Sequence, residues 1–130
     1  MSAAETLSLP EITLTRRDAD RLDSLIDAFD LFRGGPTGAF LLREIARARI
    51  VEAPAPGIVA MGSLVTFRDE TGRVTTARLV YPAEAAGANG DAVSVLTPAG
   101  AALLGLGEGQ TIAYLAPGGR QKRLTVLKVT

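Results

Sequence analysis

The sequence predicts an α+β protein, a short antiparallel helical hairpin followed by an antiparallel sheet that carries one short helix. Three observations carry this. The first third shows apolar residues at helical spacing, the rest shows runs of alternating apolar and polar residues, and a breaker-rich stretch, Glu52–Gly57, stands between them. Two prolines and a glycine there end any helix and read as a linker. The expected units are therefore residues 1–52 and 58–130, the second able to fold alone because it holds all the expected strands.

The first unit opens with an extended piece holding Ile12 and Leu14. Thr15 is placed to cap a helix, with Asp18 three residues on as a short-armed version of a capping box. Leu22, Leu25, Ile26 and Phe29 then fall at i, i+3, i+4 and i+7, one apolar face. Gly34, Gly35 and Pro36 stop the run, and Thr37 is expected to cap a second helix bearing Leu41, Ile45 and Ala48. Two helices of about 15 residues give a hairpin about 22 Å long, with Leu31, Phe32 and Phe40 expected to cluster near its turn.

In the second unit, Ser63–Arg68 and Arg73–Tyr81 flank the turn Asp69–Gly72 and read as a β-hairpin. Pro82–Asp91 is expected to be a loop, Ala92–Leu96 a third strand, and Thr97–Leu106 a short helix. In that helix Thr97 is the N-cap, Pro98 the first helical residue and Gly107 the C-terminal stop. Thr111–Ala116 and Gln121–Thr130 complete the sheet around Pro117-Gly118-Gly119.

Composition excludes several chemistries. The 130 residues contain no Cys and no His, which removes thiolate catalysis, a disulfide framework and a histidine base, and leaves a zinc site only carboxylates. Neither a catalytic residue nor a metal or other cofactor is expected. Fourteen Lys and Arg balance fourteen Asp and Glu. A net charge of +0 argues that direct nucleic-acid binding is weak or absent. No stretch approaches the roughly 18 apolar residues of a membrane span, and no secretory signal is read near the start, so a cytoplasmic protein without a membrane partner is expected. The glycines at Gly107, Gly109, Gly118 and Gly119 lack the spacing and the following Lys of a phosphate loop.

The second unit resembles the C-terminal domain of the GreA/GreB transcription elongation factors. The resemblance rests on Met61-Gly62-Ser63, Leu79-Val80-Tyr81-Pro82, the run Ser94–Gly105, and Pro117-Gly118-Gly119. The third stretch, Ser-Val-Leu-Thr-Pro-Ala-Gly-Ala-Ala-Leu-Leu-Gly, is the most specific. With its brief N-terminal hairpin, the chain is similar within that family to the short-hairpin branch, the regulators of nucleoside diphosphate kinase.

The resemblance implies an FKBP-like fold for residues 58–130, docked at the rim of the RNA polymerase secondary channel, with the hairpin pointing inward. It places docking at Thr97, Pro98, Ala99, Gly100, Leu103 and Leu104, and Asp27 and Asp30 at the hairpin tip. In the cleavage factors a much longer hairpin brings acidic tip residues to the active-site magnesium. A short-hairpin relative would compete for the site without stimulating transcript cleavage. Three departures stand out: the short hairpin, Gln110 where the family usually has Asp, and a basic patch reduced to Arg43, Arg47 and Arg49. The alternatives are a transcript-cleavage factor of the same type, or an FKBP-like prolyl isomerase or interaction domain. An isomerase would want an aromatic-lined pocket, for which the second unit offers Phe67, Tyr81 and Tyr114.

Overall fold

The structure, a computed structural model, describes residues 9–29, 36–85 and 91–130. It joins helices to an antiparallel-rich sheet. The first elements in chain order are β1 (Thr13–Thr15), α1 (Arg16–Phe29), α2 (Pro36–Arg47), β2 (Arg49–Val51), β3 (Leu64–Asp69), β4 (Val74–Val80) and α3 (Pro82–Ala85). Then come β5 (Ala92–Ser94), α4 (Pro98–Leu103), β6 (Thr111–Leu115), a 3₁₀ turn at Pro117–Gly119 and β7 (Gln121–Val129). Five strands form one sheet in the order β5-β4-β3-β7-β6.

Both helices follow the apolar stripes. Leu22, Ile26 and Leu41 are buried, and Leu25, Phe40, Leu42 and Ile45 pack against them. Thr15 caps α1, its Oγ1 accepting the Asp18 amide at 3.1 Å. Asp18 does not close the capping box on Thr15. Its Oδ2 accepts the Met61 amide at 3.1 Å, tying the first turn of α1 to the second unit. Helix α2 begins at Pro36, so proline holds the first helical position and Thr37 lies inside the first turn instead of capping it. Gly34, Gly35, Leu31 and Phe32 fall outside the described residues.

Strands β3 and β4 pair antiparallel from Leu64 opposite Arg78 to Arg68 opposite Val74. Val65, Phe67, Ala77 and Leu79 face the core, as alternation requires. Strand β7 pairs with β3 across a register shift at Thr66/Phe67 and with β6 in regular antiparallel register. One pairing departs from the all-antiparallel expectation: β5 lies parallel to β4, Leu79 opposite Val93. Periodicity specifies which face a strand buries and carries no information on its direction. The expected loop after Tyr81 also contains a helical turn, α3.

Helix α4 starts as read, Thr97 Oγ1 accepting the Gly100 amide at 3.1 Å and donating to the Ser94 carbonyl at 2.7 Å. It ends earlier than expected, at Leu103, and the residue in the left-handed region is Gly105, φ 81°, not Gly107. Gly105 has a second reason to be glycine. A Cβ there would stand 2.9 Å from Ile12 Cβ, and the Thr13 amide donates to its carbonyl at 3.1 Å. Gly100 is tighter still, since a Cβ would come within 2.0 Å of the Ser94 carbonyl oxygen. We expect Gly100→Ala to destabilise the protein by about 1–3 kcal/mol, the range for overpacking a well-filled site. Chemical denaturation reads this directly, and a change within error would show that the turn yields freely.

A feature absent from the sequence reading joins the halves. Strands β1 and β2 pair in parallel, Thr13 opposite Arg49 and Thr15 opposite Val51. The Arg49 amide reaches the Ile12 carbonyl at 2.9 Å. On its other side β1 meets Gly105, and Gly105 and Leu106 exchange hydrogen bonds with Val59. Ile12, Leu14, Leu22, Ile26 and Leu41 thus belong to the same buried cluster as Val65, Leu79, Leu103 and Ile112.

Candidate functional site

A groove of about 190 Å³ runs between α2 and the sheet unit. Thr37, Phe40 and Arg43 line one wall, and Pro98, Ala113, Tyr114 and Leu115 the other. Helical spacing puts Phe40 and Arg43 one turn apart on the same side of α2. Strand alternation leaves Leu115 63% exposed at the end of β6 while Tyr114 turns inward. Burial raises the Tyr114 phenol above its ordinary pKa, with the charges of Glu70 and Asp69 adding to the effect. The tyrosine therefore stays neutral at physiological pH. The groove offers an apolar floor with one cation, Arg43, at its rim.

The residues singled out in the α4 region divide by exposure. Thr97 is exposed and Pro98 and Ala99 are half-buried, so these three can meet another molecule. Gly100, Leu103 and Leu104 are buried, the two leucines fully. The two leucines hold α4 on the core and present no surface in this structure. Asp27 is exposed on the last turn of α1, and Asp30 lies outside the described residues.

Arg47 also departs from expectation. Counted with Arg43 and Arg49 as a reduced basic patch, it is not free for a partner. Its guanidinium grips both carboxylate oxygens of Glu44 at 2.8 and 2.9 Å and donates to the Pro10 carbonyl at 2.6 Å. Glu44 is 1% exposed. Its position, three residues after Leu41 and therefore on the apolar stripe of α2, is the signal from which the burial could have been read. Gln110 takes a structural role as well, its Oε1 accepting the Gly107 amide at 2.7 Å and its Nε2 donating to the Glu11 carbonyl at 3.3 Å.

A second, more open cleft of about 360 Å³ lies between α1 and α3, where the Arg21 guanidinium stands 4.4 Å above the Tyr81 ring. Desolvation, reinforced by Asp18, raises the Tyr81 phenol pKa. The three aromatics weighed for an isomerase pocket do not converge. Tyr81 lines this cleft, Tyr114 the other, and Phe67 is in the core. No described helix is long and apolar enough to cross a membrane.

Comparison with known proteins covers nearly the whole chain. Residues 53–130 match the family model described as transcription elongation factor, GreA/GreB, C-terminal, and residues 10–51 match that of the Rnk N-terminus. A protein of Escherichia coli strain K12 named regulator of nucleoside diphosphate kinase is 37% identical over 126 residues, which cover 95% of this chain and 91% of that protein. Its namesake in Shigella flexneri matches to the same extent. Among solved structures, a prokaryotic transcription elongation factor GreA/GreB from Nitrosomonas europaea aligns over 93% of this chain and 98% of its own. It is 35% identical, with a TM-score of 0.70.

Proposed function

Because this chain belongs to the GreA/GreB transcription elongation factor family, we propose that it is a regulator that binds RNA polymerase at the secondary-channel rim without catalysing a reaction of its own. Residues 58–130 form the docking unit, an FKBP-like domain, and residues 1–52 form an antiparallel hairpin directed into the channel. The observation that carries the reading is the composition of the groove between α2 and the sheet unit. Pro98, from the stretch that most resembles the family, shares it with Phe40 and Arg43 of α2. Docking thus draws on both units, with Thr97, Pro98 and Ala99 at its edge.

The test is competition. Titrated against a Gre factor on core polymerase, the protein is expected to displace it, and Pro98→Ala with Leu115→Ser to weaken displacement. Simultaneous binding of both factors would rule out a shared site. A second measurement concerns the two units. The shared core leads us to expect that fragment 58–130 retains a cooperative thermal transition at a lowered midpoint, because it loses Ile12 and Leu14 from beside Gly105. A fragment with no transition would show that the second unit cannot stand without the first.

A further inference from the structure

The outer face of the five-stranded sheet carries cations and hydroxyls but no aromatic ring. Register places its residues in rows. Thr76, Thr66 and Lys128 lie side by side across β4, β3 and β7. Arg68, Thr125 and Thr111 form the next row across β3, β7 and β6. Arg78 follows opposite Leu64, and Arg123 opposite Ala113. Arg68, Arg78, Arg123 and Lys128 are all exposed. Arg78 is partly held, donating to the Gly62 carbonyl at 2.6 Å. Among the described residues, no carboxylate forms an ion pair with Arg68, Arg123 or Lys128. Glu70 stands at one end, its Oε1 accepting the Arg123 amide at 3.2 Å. Asp69 is folded into its own turn, accepting from the Thr71 and Arg73 amides.

The hydroxyls add donors. Thr66 and Thr76 share a hydrogen bond of 2.9 Å, and Thr111 and Thr125 one of 2.7 Å. Each pair has two O–H groups and uses one between them, so one remains per pair for an outside acceptor. Three free cations interleaved with neutral donors match the groups that meet phosphate oxygens. A protein partner would want an apolar or aromatic anchor at the centre of the face. The exposed Val74 and Leu115 lie at its margins, and Leu127, at the bulge between the central strands β3 and β7, is a single aliphatic side chain beside Lys128, not an aromatic or clustered anchor. Single strands are held by base stacking on aromatic side chains, and this face has none.

We propose that this sheet face binds the sugar–phosphate backbone of double-stranded nucleic acid, weakly and without sequence preference. It meets the groove assigned to docking only at its β6 edge, through Ala113 and Leu115, and the proposal does not depend on polymerase binding. The net charge of +0 that argued against such contact is an average over the whole chain.

The experiment uses the full chain, a fluorescent 20-base-pair DNA duplex and no polymerase. Three phosphate contacts predict a log–log salt slope of about −2.7, so that affinity falls about 40-fold between 50 and 200 mM salt. The Arg68→Ala, Arg123→Ala, Lys128→Ala variant is expected to lose binding. Arg16→Ala, Arg17→Ala, Arg49→Ala, which removes equal charge elsewhere, should keep it. Folding of both is checked by thermal melting, and these exposed positions leave the core intact. Equal binding by the two variants overturns the proposal, as does absence of binding at 50 mM salt. So does a preference for single-stranded RNA of the same length, or for polyglutamate, which would indicate an acidic protein instead.

Discussion

Added to a backtracked elongation complex, the protein is expected to leave transcript cleavage at its background rate. Carboxylates that assist a metal-centred reaction must be placed within a fraction of an ångström of the metal and nucleophile. Helix α1 has 14 residues and α2 has 12, lengths of about 21 and 18 Å. A helical pair of that reach would be far shorter than the hairpin through which a cleavage factor would deliver its acids. Asp27, on the last turn of α1, would stop well short of the metal. The protein should also suppress Gre-stimulated cleavage, and suppression should survive Asp27→Ala with Asp30→Ala. Cleavage accelerated by the protein and abolished in that double variant would make the two aspartates catalytic and overturn the reading.

The largest stability effect is expected at Arg47. Removing its side chain strands the Glu44 carboxylate, 1% exposed, without the guanidinium that now occupies both its oxygens. Breaking a buried pair from one side costs about 3–5 kcal/mol. The Pro10 carbonyl loses its donor in the same step. Arg47→Ala should therefore lower the urea midpoint far more than Arg43→Ala, one turn earlier on the same helix and exposed. Replacing both partners by apolar residues of similar size, Glu44→Leu with Arg47→Met, should recover most of the loss. A single variant as stable as the parent would show that water replaces the guanidinium.

These two sites also mark how far the sequence could be read. The stripe through Leu22, Ile26 and Leu41 was legible because burial of one helical face imposes a period. The β3–β4 hairpin was legible because alternation and Gly72 agree. Strands β1 and β2, at three residues each, are too short to show a period, and their pairing joins positions separated by two helices. The parallel course of β5 was hidden for a related reason, since direction is set by the connection. Asp18 was read as a local cap when its carboxylate serves Met61, 43 residues away. The groove was half visible: Pro98 was singled out from the family pattern, whereas Phe40 was assigned to the turn and Leu115 to an ordinary strand. Which residues of α2 face β6 is decided by how the two units pack.

The parallel pairing of β1 with β2 has a mechanical consequence. Parallel neighbours need a long crossover between them, and here α1 and α2 supply it. The chain enters the helices from one strand and leaves them into its neighbour, and β1 is bonded on its far side to Gly105. Both feet of the helical pair are thus set in the same masonry as the sheet, with Asp18 fastening α1 to Met61 and Arg47 fastening the end of α2 to Pro10 beside β1. Such a pair cannot swivel at its base as a tethered arm would. A push at its far end would be carried through β1 and Gly105 to α4 and the groove beside it.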